Sequence, residues 1–170
     1  MAEEKDDPAA VLAALPRHAR LLGVDLGTKT LGLALSDVER RIASPLETLE
    51  RSKFTADAKK IQALVARFGI GAIVFGLPLN MDGAEGPRAQ ATRAFARNLA
   101  AHIRLPTLFW DERLSTAAVN RMLIDFDTSR RRRAALVDKM AAAYILQGFL
   151  EALREPRHSS HTHKSQDCNC

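Results

Sequence analysis

A chain of 170 residues with one hydrophobic block is sized for a single α/β domain with two tails, and at 46% hydrophobic but 5% aromatic content its core must be aliphatic. The formal charge of +5 suits an anionic partner such as nucleic acid without selecting one. The two cysteines, Cys168 and Cys170, lie outside any apolar pattern, which excludes a disulfide framework and leads us to expect a reducing, cytoplasmic setting.

Residues 1–20 begin with Glu3, Glu4, Asp6 and Asp7 ahead of a short apolar run at 9–15. Acid before a run that short predicts a flexible extension, neither a signal peptide nor a membrane anchor. Apolar runs at 21–25 and 31–35, joined by Leu26-Gly27-Thr28-Lys29-Thr30, predict a strand pair, and a third strand is expected near 44–49 after a charged turn. Ile61, Leu64, Val65 and Phe68 recur at i, i+3, i+4 and i+7, which predicts an amphipathic helix over 55–68 capped by Gly69. A buried strand follows at 70–75 and stops at Gly76-Leu77-Pro78, before a loop at Asn80-Met81-Asp82-Gly83. Helical spacing returns over 87–103 through Ala91, Phe95 and Leu99, and a strand over 106–110 runs into Asp111-Glu112. Two helices close the domain, at 116–123 and 137–154, separated by a loop that carries Arg130, Arg131, Arg132 and Arg133. The alternation of strand and helix in the second half implies parallel strands there. The domain therefore spans 21–154, and the polar segment 155–170, without aliphatic residues, is expected to be disordered.

Three places in this pattern put carboxylates where chemistry is done. Open α/β sheets carry their functional crevice at the C-terminal ends of strands, and Asp25, Asp111 and Glu112 all fall at such ends. Side chains alternate faces along a strand, so only one of Asp111 and Glu112 is expected to meet Asp25, and the pattern does not say which. Asp138 shares a helical stripe with Ala141, Ala142, Ile145 and Phe149, which aims it at the sheet. Carboxylates gathered in this way repel one another unless a cation stands between them. Mg²⁺, or Mn²⁺ in its place, is the expected cofactor, held by Asp25, Glu112 and Asp138, because it prefers oxygen ligands and completes its shell with phosphate oxygens. Taken singly, Asp25 before Gly-Thr is also an ordinary turn former and Asp138 an ordinary helix-start residue. The joint placement favours a site.

Leu22-Gly23-Val24-Asp25-Leu26-Gly27-Thr28-Lys29, Gly76-Leu77-Pro78-Leu79-Asn80-Met81-Asp82-Gly83, Asp111-Glu112-Arg113-Leu114-Ser115-Thr116 and Val137-Asp138-Lys139-Met140-Ala141-Ala142 together resemble the YqgF family over about 21–153. That resemblance implies an α/β, RNase H-like fold, a mixed five-stranded sheet flanked by helices. It also implies a metal-dependent nuclease acting on precursor 16S rRNA or on branched DNA, with Asp25, Asp111, Glu112 and Asp138 at the acidic motif positions. Related RuvC-type resolvases are expected to carry an acid at the end of the fourth strand, where this chain reads Gly76-Leu77-Pro78. The resemblance implies that the fifth strand supplies the missing carboxylate. Lys29, Arg88, Arg113 and Lys139 lie in or near the motifs as candidate phosphate contacts, and the dense run Arg130 to Arg133 is the stronger nucleic-acid contact.

Two other classes compete. A phosphotransferase of the actin or hexokinase type also follows a strand with Asp-x-Gly-Thr but needs two such domains around its nucleotide. A non-catalytic RNA-binding assembly factor would keep the fold and use the acids weakly. The His and Cys residues of the tail match no standard zinc spacing, Trp110 and Tyr144 read as core, and a homodimer is the form a four-way junction would require.

Overall fold

The computed structural model describes residues 7–114 and 130–154, with side chains at all of these except 114 and 130–135. Strands β1 (Arg20–Leu26) and β2 (Thr30–Ser36) form an antiparallel hairpin, and β3 (Ala43–Glu50) pairs antiparallel with β2. Helix α2 (Phe54–Phe68) leads to β4 (Ile70–Leu77), and α3 (Pro87–Ile103) leads to β5 (Thr107–Asp111). β4 is parallel to β1 and β5 is parallel to β4, so the sheet order is β3-β2-β1-β4-β5. This is the mixed five-stranded sheet expected from the motif pattern. Gly69 ends α2 in the left-handed conformation, φ 64°, and its N–H donates to the Val65 carbonyl.

Alternation along the strands sorts the core into two layers. Leu22, Val24, Leu31, Leu33, Ile73 and Phe75 point toward α2 and α3, where Ile61, Phe95 and Leu99 meet them. Leu21, Ala34, Ala72 and Val74 point the other way, toward Ala142, Ile145, Leu146 and Phe149 of the long helix α4 (Arg130–Arg154). Asp25 and Gly23 are in phase with Leu21, and Gly76 with Val74, so all three face α4.

Two expectations are modified. Within residues 1–20, Pro8–Ala14 form a helix, α1, and Val11, Leu12 and Leu15 pack against the α4-side core. The sequence read this stretch as a flexible extension because three apolar residues are too few to announce a helix by periodicity. The arginine run was expected in a loop, yet the backbone of Arg130 to Arg133 is the first turn of α4. Arginine is a good helix former and no Gly or Pro intervenes before Val137, so the helix extends seven residues ahead of the apolar stripe that signals it. The expected helix at 116–123 and the tail at 155–170 lie outside the described residues.

The start of α2 contains a polar element that periodicity could not show. Asp57 is 1% exposed, and its carboxylate accepts from the Ser52 N–H at 3.1 and 3.2 Å and from the Ser52 hydroxyl at 3.0 Å. Removing the carboxylate takes away its bonds to the Ser52 N–H and hydroxyl, and hydrogen bonds to a charged group contribute about 1.5–3 kcal/mol. Asp57→Ala is therefore expected to lower the urea midpoint by an amount equivalent to about 2 kcal/mol, with an unchanged m-value.

Candidate active site

The site forms on the α4 face of the sheet, where β1, β4 and β5 end. Asp25 stands opposite Gly32 in the β1–β2 register. A Cβ built on Gly32 would fall inside the carbonyl group of Asp138, so the bare strand at that point lets α4 lie directly on β2 beside Asp25. Gly23 acts similarly about two turns along the helix, where an added Cβ would come to 2.8 Å from the Leu146 Cβ. The clearance for this approach comes from the glycines on the strands.

The question of Asp111 or Glu112 is settled by where β5 stops. Asp111 is its last residue, and Glu112 opens a 3-10 turn (Glu112–Leu114). Asp111 turns to Arg113, accepting from its Nε at 2.7 Å and from its backbone N–H at 3.0 Å, and this pairing holds the Asp111 carboxyl below its usual range. Glu112 turns to Asp25. A Cβ on Gly76 would overlap the Glu112 Oε1, so the Glu112 carboxylate lies in the space that a side chain at the end of β4 would fill.

Asp25 and Glu112 share a hydrogen bond and are both partly buried. Burial, followed by the negative charge of Asp138, pushes Asp25 up from 3.8 to about 6. Burial, followed by the charge of Asp25, pushes Glu112 up from 4.5 to about 7. The contact between the two carboxyls lowers Asp25 and raises Glu112, while the charge of Arg88 lowers both. The Asp138 carboxylate accepts a hydrogen bond from the Thr30 hydroxyl at 2.6 Å.

Among the described residues no three acidic, His or Cys side chains stand close enough as placed to enclose an ion together. The donor set is instead a pair, with a third carboxylate at its rim. That fits Mg²⁺, which is commonly bound through one or two carboxylates, with waters and phosphate oxygens completing its octahedron. It is also the chemistry that a carboxylate pair, raised in pKa by burial first and by neighbouring negative charge second, would accommodate best.

Among the described basic candidates, Arg88 is the one whose charge reaches the pair, lowering both Asp25 and Glu112. It occupies the first turn of α3, where a cation is disfavoured by the helix dipole, and its guanidinium is exposed. Lys29 is exposed in the β1–β2 turn, Lys139 is half-buried next to Asp138, and Arg113 is matched by Asp111. The side chains of Arg130 to Arg133 lie outside the described set. Thr30, Gly32 and Arg51 were not read as site residues from the sequence. Only the position of Thr30 and Gly32 on alternate places of β2, in phase with each other, could have signalled the first two. Trp110 packs edge-on against Phe149, its ring centroid 6.3 Å away, as its reading as a core residue expected.

The sequence model of the RuvX family, described as Holliday junction resolvase, matches residues 19–152. A relative from Methylocella silvestris, carrying the name "Putative pre-16S rRNA nuclease", is 61% identical over 154 residues, covering 91% of this chain and 96% of the relative. One of the same name from Paramagnetospirillum magneticum is 60% identical over 144 residues, covering 85% and 93%. Among solved structures, RuvC from T. thermophilus in complex with a Holliday junction substrate superposes with a TM-score of 0.52 at 18% identity, covering 79% of this chain and 95% of that one, a likeness of fold.

Proposed function

Since this chain belongs to the RuvX family, the YqgF group of RNase H-like nucleases, we propose that it is a divalent-metal-dependent endonuclease whose substrate is precursor 16S rRNA. The observation that carries this reading is the Asp25–Glu112 pair: two carboxylates hydrogen-bonded to each other at the ends of neighbouring strands, with Asp138 facing them from α4.

Asp25 and Glu112 would hold the cation, with Asp138 completing the acidic rim. When bound, the ion supplies activation of a water and stabilisation of the leaving oxygen in phosphodiester hydrolysis. Both carboxyls of the pair are raised and must be ionised to act as ligands, so ion binding and deprotonation are linked. Arg88 would meet a non-bridging phosphate oxygen, a role supported by its charge acting on both acids while its side chain is exposed. Lys29, Lys139 and the run Arg130 to Arg133 serve as further backbone contacts, which carry affinity without reading sequence. Asp111 and Arg113 neutralise one another and thereby fix the turn that presents Glu112.

Precursor rRNA is preferred to branched DNA because the near-full-length relatives at 60–61% identity carry the rRNA nuclease name, whereas the likeness to RuvC is one of fold. No helix among the described residues is long and apolar enough to cross a membrane, which agrees with action on a dissolved substrate. The test is cleavage of a labelled 16S precursor 5′-end RNA and a labelled four-way DNA junction, with Mg²⁺, Mn²⁺ or EDTA. Cutting of the RNA that EDTA abolishes is expected. Paired symmetric cuts in the junction would make the protein a dimeric resolvase instead, and binding without cutting under any divalent ion would make it an assembly factor.

A further inference from the structure

The turn after Asp25 attracts attention in the sequence as a possible phosphate loop, yet the structure gives it a different employment. The Gly27 N–H donates to the Thr30 carbonyl at 2.9 Å, closing the turn. Arg51, at the far end of β3, braces the turn from outside: its Nη1 donates to the Gly27 carbonyl at 2.7 Å, and its backbone N–H donates to the Lys29 carbonyl at 2.8 Å. A side chain on Gly27 would crowd the Thr30 hydroxyl, since a Cβ there would lie 3.2 Å from Oγ1. The braced turn delivers that hydroxyl to Asp138 Oδ2 at 2.6 Å, across 108 positions of sequence.

We infer that Thr30 is a positioning residue: its hydroxyl fixes the Asp138 carboxylate at the rim of the Asp25–Glu112 pair, so that the third acid of the site is held for a divalent cation and not left to swing. The inference rests on the metal-dependent reading given above and specifies how its third carboxylate is set. A hydroxyl has one proton, and giving it to Oδ2 leaves Oδ1 and the remaining lone pair of Oδ2 for a cation. Thr30 and Gly32 lie on the same face of β2, so one strand sets both the depth of α4, through Gly32 against the Asp138 backbone, and the rotamer of Asp138, through Thr30. Partners that orient a ligating carboxylate in this way typically account for about 10- to 100-fold in metal affinity.

Thr30→Val removes the hydroxyl while keeping shape and strand preference, and Thr30→Ser keeps the hydroxyl. Calorimetric titration of the full-length proteins with Mn²⁺ should show Thr30→Val binding about 10- to 100-fold more weakly than wild type, with Thr30→Ser close to wild type and all three melting alike in EDTA. In an Asp138→Asn background the Thr30→Val effect should vanish, because the hydroxyl acts through that carboxylate. This cycle separates positioning from a merely structural role, and Thr30→Ser serves if the valine variant does not fold. Wild-type affinity in Thr30→Val, or equal weakening by serine and valine, would overturn the inference while leaving the nuclease reading intact. Absence of Mn²⁺ binding by the wild type would overturn both.

Discussion

Asp25→Asn is expected to melt at a higher temperature than the wild type at pH 8 in EDTA, and to have lost roughly 10³-fold of the cleavage rate in Mg²⁺. The two effects have one origin. Asp25 is pushed up to about 6 and Glu112 to about 7, by burial first and by neighbouring carboxylates second. Both values lie above those of the unfolded chain, so the folded protein binds these protons more tightly than the unfolded one. The stability this contributes is complete below the unfolded values near 4 and is lost as pH rises through about 6 and about 7. At pH 8 both groups are ionised, and without a cation they repel. A rise from 3.8 to about 6 at about 1.4 kcal/mol per unit amounts to about 3 kcal/mol, shared within the pair. For a domain of this size that corresponds to roughly 5–10 °C in Tm. Asparagine removes the charge, keeps the shape, and can still accept a hydrogen bond from Glu112. The advantage should shrink at pH 5, where Asp25 is largely protonated, and reverse in Mg²⁺, which stabilises the wild type by binding its carboxylates. Fluorimetric melting curves at the two pH values, with EDTA or Mg²⁺, check all three signs. A variant that melts below the wild type at pH 8 in EDTA would mean that the pair is not a repelling cluster.

The sequence carried the sheet and the acids because both depend on local pattern. Alternation in 21–26 and 31–35 fixes which residues of β1 and β2 share a face, and acids at strand ends are visible wherever the strands are. What it could not carry was the side of the sheet on which α4 packs. Until that is known, Asp111 and Glu112 are equivalent by parity, and Gly32 and Gly76 are two more small residues in apolar strands. The Arg130 to Arg133 run was misplaced for a related reason: a helix shows itself by its buried stripe, and here the helical backbone begins before the stripe does. Asp57 and Thr30 escaped because each is a polar residue whose meaning lies in a partner, Ser52 across the β3–α2 connection and Asp138 across most of the chain. Periodicity does not register such pairs.

The closest approaches around the site predict which substitutions separate stability from activity. Gly32→Ala should cost about 3 kcal/mol or more and should also weaken metal binding. Its new methyl group would meet the carbonyl carbon and oxygen of Asp138 and the Lys139 nitrogen, all of them backbone of a helix that touches all five strands, so α4 has to move as a body. Gly76→Ala meets only side-chain ends, the Glu112 carboxylate and the Ile145 Cδ1, which can rotate away. It should therefore cost less stability, about 1 kcal/mol, yet depress cleavage as strongly, because the group it displaces is the carboxylate that meets Asp25. Gly69→Ala supplies the control. It carries φ 64° with nothing within 4 Å of an added Cβ, so only the left-handed backbone conformation is strained, at about 1–2 kcal/mol, and cleavage per folded molecule should be unchanged. Urea unfolding and single-turnover cleavage on the three variants should thus place Gly32→Ala low in both, Gly76→Ala low in activity with only a modest loss of stability, and Gly69→Ala low in stability alone. If Gly76→Ala cut at the wild-type rate, the carboxylate of Glu112 would have no part in the chemistry, and the pair with Asp25 would be a structural contact.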